Sequence, residues 1–325
     1  MNNFDLTAPT VPGVSAVENQ SFSEAVLEIL GDALAHFRPD LREAAGACMA
    51  VLAAVTALSM LSMLPGKKIG VQLAGAVLAA MILLEPAHAL ITLGAETVQE
   101  LGEYEKLLLP VLTAALAAQG GVGMSAALYA GTAAFNALLS GMVSRLLVPM
   151  IYMYLALAVA HAAVGEEMLK KLRDFLRSAA VWWLKTLLYV YTGYITVTGV
   201  VSGTTDASLL KAAKLTISGA VPVVGGILSD ASEAVLVSAA AVKNAAGIYG
   251  MLAVLSLWIG PFLRIGAHYL MVKAVGAVSG VFGVESVSNV IDAFASAMGL
   301  LLAMTGAVCL MLIISTICFL RGAGI

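Results

Sequence analysis

Charged side chains are scarce in this chain of 325 residues: Lys, Arg, Asp and Glu together supply 11%, against about 25% in an ordinary soluble domain. Between Lys106 and Arg145 lie 38 residues with no charge at all, and Phe294 to Leu320 adds 27 more. Such stretches exclude a water-soluble globular domain. A hydrocarbon core about 30 Å thick is crossed by roughly 20 apolar residues in helical form, and a helix satisfies its own backbone there. Cysteine is rare as well. Cys48, Cys309 and Cys318 each fall inside an apolar stretch without CxxC or Cys/His spacing, which excludes a disulfide framework and a metal centre and leaves small buried hydrophobes. No basic run or basic-aromatic patch is present, so nucleic acid is not an expected partner. A nucleotide-binding loop, a zincin motif, a Gly-x-Ser-x-Gly elbow and a mid-span pair of catalytic aspartates are missing too. Neither enzyme activity nor catalytic residues, metal or cofactor is therefore expected. The first 43 residues hold seven Asp or Glu and only two Arg, the wrong charge for a secretory signal.

What remains is an all-α polytopic membrane protein. The pattern predicts about eight to ten hydrophobic segments, some broken or re-entrant, together with short amphipathic helices at the interface. Residues 1–43 form an acidic tail and amphipathic helix, and 44–325 the multi-span domain. Ser21 and Glu24 have capping-box spacing. Phe22, Val26, Ile29, Leu30, Ala33, Leu34 and Phe37 follow as one stripe, which Pro39 is expected to end. Ala44 to Leu64 is the first span. Pro65, Gly66, Lys67 and Lys68 turn the chain into a second segment, about Ile69 to Leu93, and the two lysines place that turn in the cytoplasm. The N-terminal region and a loop carrying Glu96, Glu100, Glu103 and Glu105 then lie outside. The uncharged stretch together with Leu146 to Val164 gives three crossings. The chain returns inside at Glu166 to Ser178, where Met168, Leu169, Leu172, Phe175 and Leu176 form a stripe. Lys170, Lys171, Arg173 and Arg177 fill its other face, as suits an anionic bilayer surface. Trp182, Trp183 and Lys185 open the next span.

Ionisable residues within spans are functional candidates, because each costs a few kcal/mol at the bilayer centre. Glu85 and His88 lie one turn apart on the same helix face with Pro86 between them, and fit a proton-linked or ion-binding pair, or an interfacial pair beyond the end of the span. The segment from Lys211 to Gly247 is the second candidate. Its Lys214, Pro222, Gly225 and Gly226 suit a broken helix that exposes backbone groups to a cavity. Asp230, Lys243 and Asn244 face that cavity as pore or coupling residues, or are solvated in an interfacial hairpin. Gly276-x-x-x-Gly280, Gly199-x-x-x-Gly203 and Ala127-x-x-x-Gly131 permit close helix approach in a tight bundle or homo-oligomer. Pro110 and Pro149 are 39 residues apart, as are Pro222 and Pro261, with a shift of 112 between the pairs. This suggests internal duplication, although other matched positions agree poorly.

The run Val197-Thr-Gly-Val-Val-Ser-Gly-Thr-Thr-Asp206 is followed by Lys211-Ala-Ala-Lys214, Val221-Pro-Val-Val-Gly225, Leu228-Ser-Asp-Ala231 and Val242-Lys-Asn-Ala-Ala-Gly247. Together they resemble the stage III sporulation protein AE family of endospore-forming bacteria, and the likeness continues more loosely from about Leu41 to the C-terminus. The resemblance implies a multi-pass protein of the mother-cell membrane facing the forespore. It implies a subunit of a channel-like or secretion-like complex that works with the other membrane proteins of its sporulation operon in late forespore development. It supplies no catalytic residue. Family members often begin with a signal sequence, a pattern from which the start Met1-Asn-Asn-Phe4 departs. A self-contained secondary transporter of a small solute, using Glu85, His88, Asp230 and Lys243, is the alternative reading of the same residues.

Overall fold

A computed structural model describes residues 22–62, 68–118, 122–197, 245–281 and 285–322. All of these are helical except Gly165 and Glu166. In chain order the helices are α1 (Phe22–Ser62), α2 (Lys68–Ala118), α3 (Val122–Met142), a π turn (Val143–Leu147), α4 (Val148–Val164), α5 (Glu167–Val197), α6 (Ala245–Val281) and α7 (Glu285–Gly322). Among the described residues, five helical stretches are long and apolar enough to cross a membrane: Ser23–Met60, Leu73–Ala114, Tyr129–Val164, Gly247–Val281 and Ser286–Phe319. The all-α, multi-span architecture expected from the charge pattern is thus present.

The rods are longer than that pattern predicts. α1 continues through Pro39, and joins the acidic amphipathic half to the apolar half across residues 43 and 44. Proline removes one backbone donor and crowds the preceding turn, yet the packing seam is the same on both sides. Ala25 and Ile29 before the proline, and Ala44, Cys48, Val51 and Val55 after it, are all buried. The expected loop at Glu96 to Glu105 is helical as well, because α2 runs for 51 residues with Pro86 and Pro110 inside it. Here too a buried seam carries the helix onward: Leu83, Ala87, Leu90, Ile91, Val98, Leu101, Leu109 and Leu112 fall on one face, at steps of one or two helical turns apart from the adjacent Leu90 and Ile91. The basic segment at 166–178 is the first half of α5 and not a separate interfacial helix; its axis continues through Trp182 and Trp183 to Val197.

One helical interruption has a clear cause. Pro149 cannot donate to the carbonyl of Arg145, and the chain widens into the π turn, in which Val148 N–H reaches back five residues to the Val143 carbonyl. α4 ends at Gly165, whose φ of +77° is the left-handed conformation that glycine accepts without strain, and its N–H caps the His161 carbonyl at 2.7 Å.

The centre of the bundle is α7. It packs against α2, α3, α4, α5 and α6, and 89% of its most apolar stretch is buried by protein, against 22% for α1. Small residues let the rods approach. Gly276 of α6 meets Ile291 and Asp292 of α7, 3.3 Å from where its Cβ would stand, and Gly280 meets Ser288, so the Gly276-x-x-x-Gly280 spacing marks a real crossing. Gly131, from the Ala127-x-x-x-Gly131 spacing, lies against the Tyr194 phenol of α5. Gly199-x-x-x-Gly203 lies outside the described residues.

These contacts also set direction. Gly75 of α2 faces Leu58 of α1 and Val287 of α7, while Gly94 faces Leu301 and Met304, so α2 runs parallel to α7. α5 runs the same way: Tyr191 donates to the Met311 carbonyl at 3.1 Å, and Arg173 and Arg177 lie near Tyr154, which bonds Ser296. The start of α2 at Lys68 and the basic half of α5 therefore share one end of the bundle.

Candidate functional site

Four glutamates crowd the middle of α2, and only one turns inward. Glu96, Glu100 and Glu103 are exposed. Glu105 stands four residues after Leu101 and four before Leu109, on the buried seam, and is 7% exposed. Burying a carboxylate is costly unless other groups replace its water. Here the partner is α3. Asn136 hydrogen-bonds the Glu105 side chain and donates from Nδ2 to the Gly102 carbonyl at 3.0 Å. Gly102 has to be small, since a Cβ would stand 2.9 Å from Asn136 Oδ1. Among the described residues no Lys or Arg forms an ion pair with Glu105.

Beside this pair lies a cavity of about 20 Å³, lined by Gly102, Glu105, Thr132, Asn136 and Tyr191, with Phe135, Leu139, Val308, Met311 and Leu312 completing the wall. Four helices therefore meet at one buried polar point. The threonines elsewhere in the bundle give a contrast. Thr97, Thr113, Thr305 and Thr316 each turn the hydroxyl back to the carbonyl four residues earlier. Thr132, 1% exposed, does not do this, and its buried Oγ1 has no hydrogen-bond partner. Tyr191 is fully enclosed, and its hydroxyl proton is committed to Met311.

Glu85 and His88, expected as a pair, are both exposed and do not bond to each other. His88 turns to α4, with Nδ1 at 2.5 Å from the Tyr152 hydroxyl and the rings 5.9 Å apart. Lys214, Pro222, Gly225, Gly226, Asp230, Lys243 and Asn244 lie outside the described residues. Lys170, Lys171 and Arg177 are exposed on α5. Lys170 lies 3.9 Å from Glu167, and Arg173 pairs with Asp174 at 2.9 Å. Met168, Leu172 and Phe175 are 77%, 45% and 65% exposed, so three of the five residues of the expected apolar stripe are largely uncovered by the described residues.

Among the described residues three ion pairs join helices. Arg264 of α6 lies 3.6 Å from Asp40 and 3.1 Å from Glu43 of α1, and Lys273 lies 2.7 Å from Asp292 of α7. Cys48, Cys309 and Cys318 are buried thiols outside any disulfide among the described residues, and their burial is what their surroundings in the sequence predict. No cluster of three or more His, Cys, Asp or Glu able to hold a metal occurs among the described residues.

A bundle of long apolar rods around one buried helix, with a polar point at its heart and basic residues gathered at one end, is a polytopic helical membrane protein. The family profile of stage III sporulation protein AE matches residues 49–323. The chain belongs to that family and is a sporulation-related, multi-pass membrane protein. A relative described as stage III sporulation protein AE, from Bacillus subtilis (strain 168), is 25% identical over 236 residues. The alignment covers 72% of this chain and 59% of the relative, so the chain matches less than two thirds of that protein's length. No solved structure matches the chain.

Proposed function

We propose that this chain is an integral membrane subunit of a channel-like or secretion-like complex linking mother cell and forespore. It sits in the mother-cell membrane and works with other membrane proteins of its sporulation operon. The observation that carries the reading is the length of apolar surface left uncovered. On α2 alone, Val77, Leu78, Met81 and Leu84 form one exposed apolar patch and Leu107 and Val111 a second, each residue between 40% and 69% exposed; exposed Glu85, Glu96, Glu100 and Glu103 lie between them, and Val77 to Val111 spans about 51 Å at 1.5 Å per residue. A bilayer core is about 30 Å thick. Lipid covers one part of such a face, and the remainder calls for protein, which is what a subunit has and a solitary carrier lacks. Residues 44–325 form the membrane domain, and the acidic half of α1 extends from it as an arm toward the forespore side. The basic half of α5 and Lys68, at the opposite end, match a cytoplasmic surface rich in Lys and Arg.

Co-purification from sporulating cells tests the proposal. Recovery of the other operon products with this chain is the expected result. Isolation as a lone homo-oligomer, with solute uptake by the purified protein in proteoliposomes, favours the secondary-transporter alternative.

A further inference from the structure

We propose that the cavity beside Glu105 binds one sodium-sized monovalent cation, held by the Glu105 carboxylate, the Thr132 hydroxyl and the Asn136 amide oxygen. The inference stands apart from the complex-subunit reading, since it concerns a cavity lined by one chain. Glu105, Thr132, Asn136 and Tyr191, the polar side chains of the lining, each carry an oxygen and none carries sulfur or imidazole, which suits a hard cation and not a soft transition metal. A single carboxylate balances a single positive charge; a divalent ion would leave net charge buried in an apolar wall made by Phe135, Leu139, Val308 and Leu312. The space, about 20 Å³, accepts one body the size of a water molecule. Thr132 supplies the second, independent observation: its buried hydroxyl has no hydrogen-bond partner, and the residue lines the same cavity as the carboxylate. Asn136 is anchored through Nδ2 to Gly102. The titratable groups nearby are Tyr104 and Lys106 beside Glu105 on α2, Tyr191 and Tyr194 on α5, and Cys318 on α7; Lys106, the one cation among them, is exposed and forms no ion pair with Glu105.

The test uses the full chain purified in lipid nanodiscs, with dicyclohexylcarbodiimide as the probe of Glu105 and mass spectrometry as the readout. At fixed pH and ionic strength, Glu105 is expected to be modified in choline chloride and protected in sodium chloride, with Tm rising with sodium. Thr132→Val should raise the sodium concentration for half-protection at least about tenfold, the loss of one ligand to a charge being worth about 1.5–3 kcal/mol. Glu105→Gln should abolish the sodium-dependent rise in Tm while keeping the Tm measured in choline. If Glu105→Gln does not fold, the Thr132→Val shift decides. Modification indifferent to sodium, which is the behaviour of a carboxyl holding only a proton, overturns the proposal. So does a sodium response that survives in Glu105→Gln, and so does the lack of both modification and a sodium-dependent Tm.

Discussion

Single residues in this bundle act through the space they leave. Gly131 allows the Tyr194 ring to lie on the α3 backbone, and a methyl group there would fall on the phenol. Gly131→Ala is expected to cost about 1–3 kcal/mol, as overpacked sites do. A cycle with Tyr194→Ala, read by thermal unfolding in detergent, should show strong coupling between the two positions. Glu85 is exposed and without a bond among the described residues, so Glu85→Gln should leave the unfolding free energy within about 0.5 kcal/mol of the parent and leave recovery of partner proteins unchanged. Glu105 was legible in principle. Its spacing from Leu101 and Leu109 puts it on the apolar seam, whereas Glu96, Glu100 and Glu103 fall off it. Reading the four as one acidic loop hid that difference, because charge density was weighed ahead of helical phase. Thr132 and Tyr191 were not legible, since nothing in local spacing tells a helical threonine that bonds its own backbone from one that faces a cavity three helices wide.

At the scale of the element, hydrophobic runs located the helices well and their ends poorly. Prolines and charges normally mark boundaries, but at Pro39, Pro86, Pro110 and Pro261 the helix continues, because neighbouring rods hold the flanking turns in register. The π turn before Pro149 is the place where the proline does act. A π turn accommodates one residue more than an α turn. Deleting exposed Ser144 together with Pro149→Ala should therefore restore a regular helix with α3 and α4 faces unchanged, and preserve Tm. Deleting Tyr154 instead rotates the rest of α4 by about 100° and should abolish folding. The basic half of α5 makes a different prediction. Reversing Lys170, Lys171 and Arg177 to Glu should reduce membrane insertion or complex recovery, while the isosteric Gln changes have a smaller effect, as fits attraction to an anionic surface. Fractionation and co-purification from the same cells check both arms.

For the molecule as a whole, the direction of the rods gathers the ends of α1, α4 and α6 with the starts of α2, α5 and α7. Cysteines introduced at Gly70 and Lys171 should accordingly react with a membrane-impermeant maleimide from the same compartment. The native cysteines are buried and give a low background, and labelling from opposite compartments would contradict both the bundle and its placement in the bilayer. The overall class was readable from the chain because the solvent dictates it: with 11% charged residues, only lipid and other helices can surround such segments. Which rod occupies the middle was not readable, since long uncharged runs occur in several helices and only packing distinguishes the enclosed one.

The enclosure of α7 has a consequence for how the protein comes into being. Among the described residues, α2 to α6 pack against it and precede it in the chain, so during synthesis these five partners stand in the membrane around a gap whose filler has yet to emerge from the ribosome. Until it arrives, Gly94, Tyr191 and the Gly276 face lack the α7 residues they meet in the finished bundle, and assembly cannot proceed in the order of translation. A chain arrested after Val281 should consequently be an open, short-lived shell, cleared by membrane proteases, which a separately expressed 285–322 segment rescues.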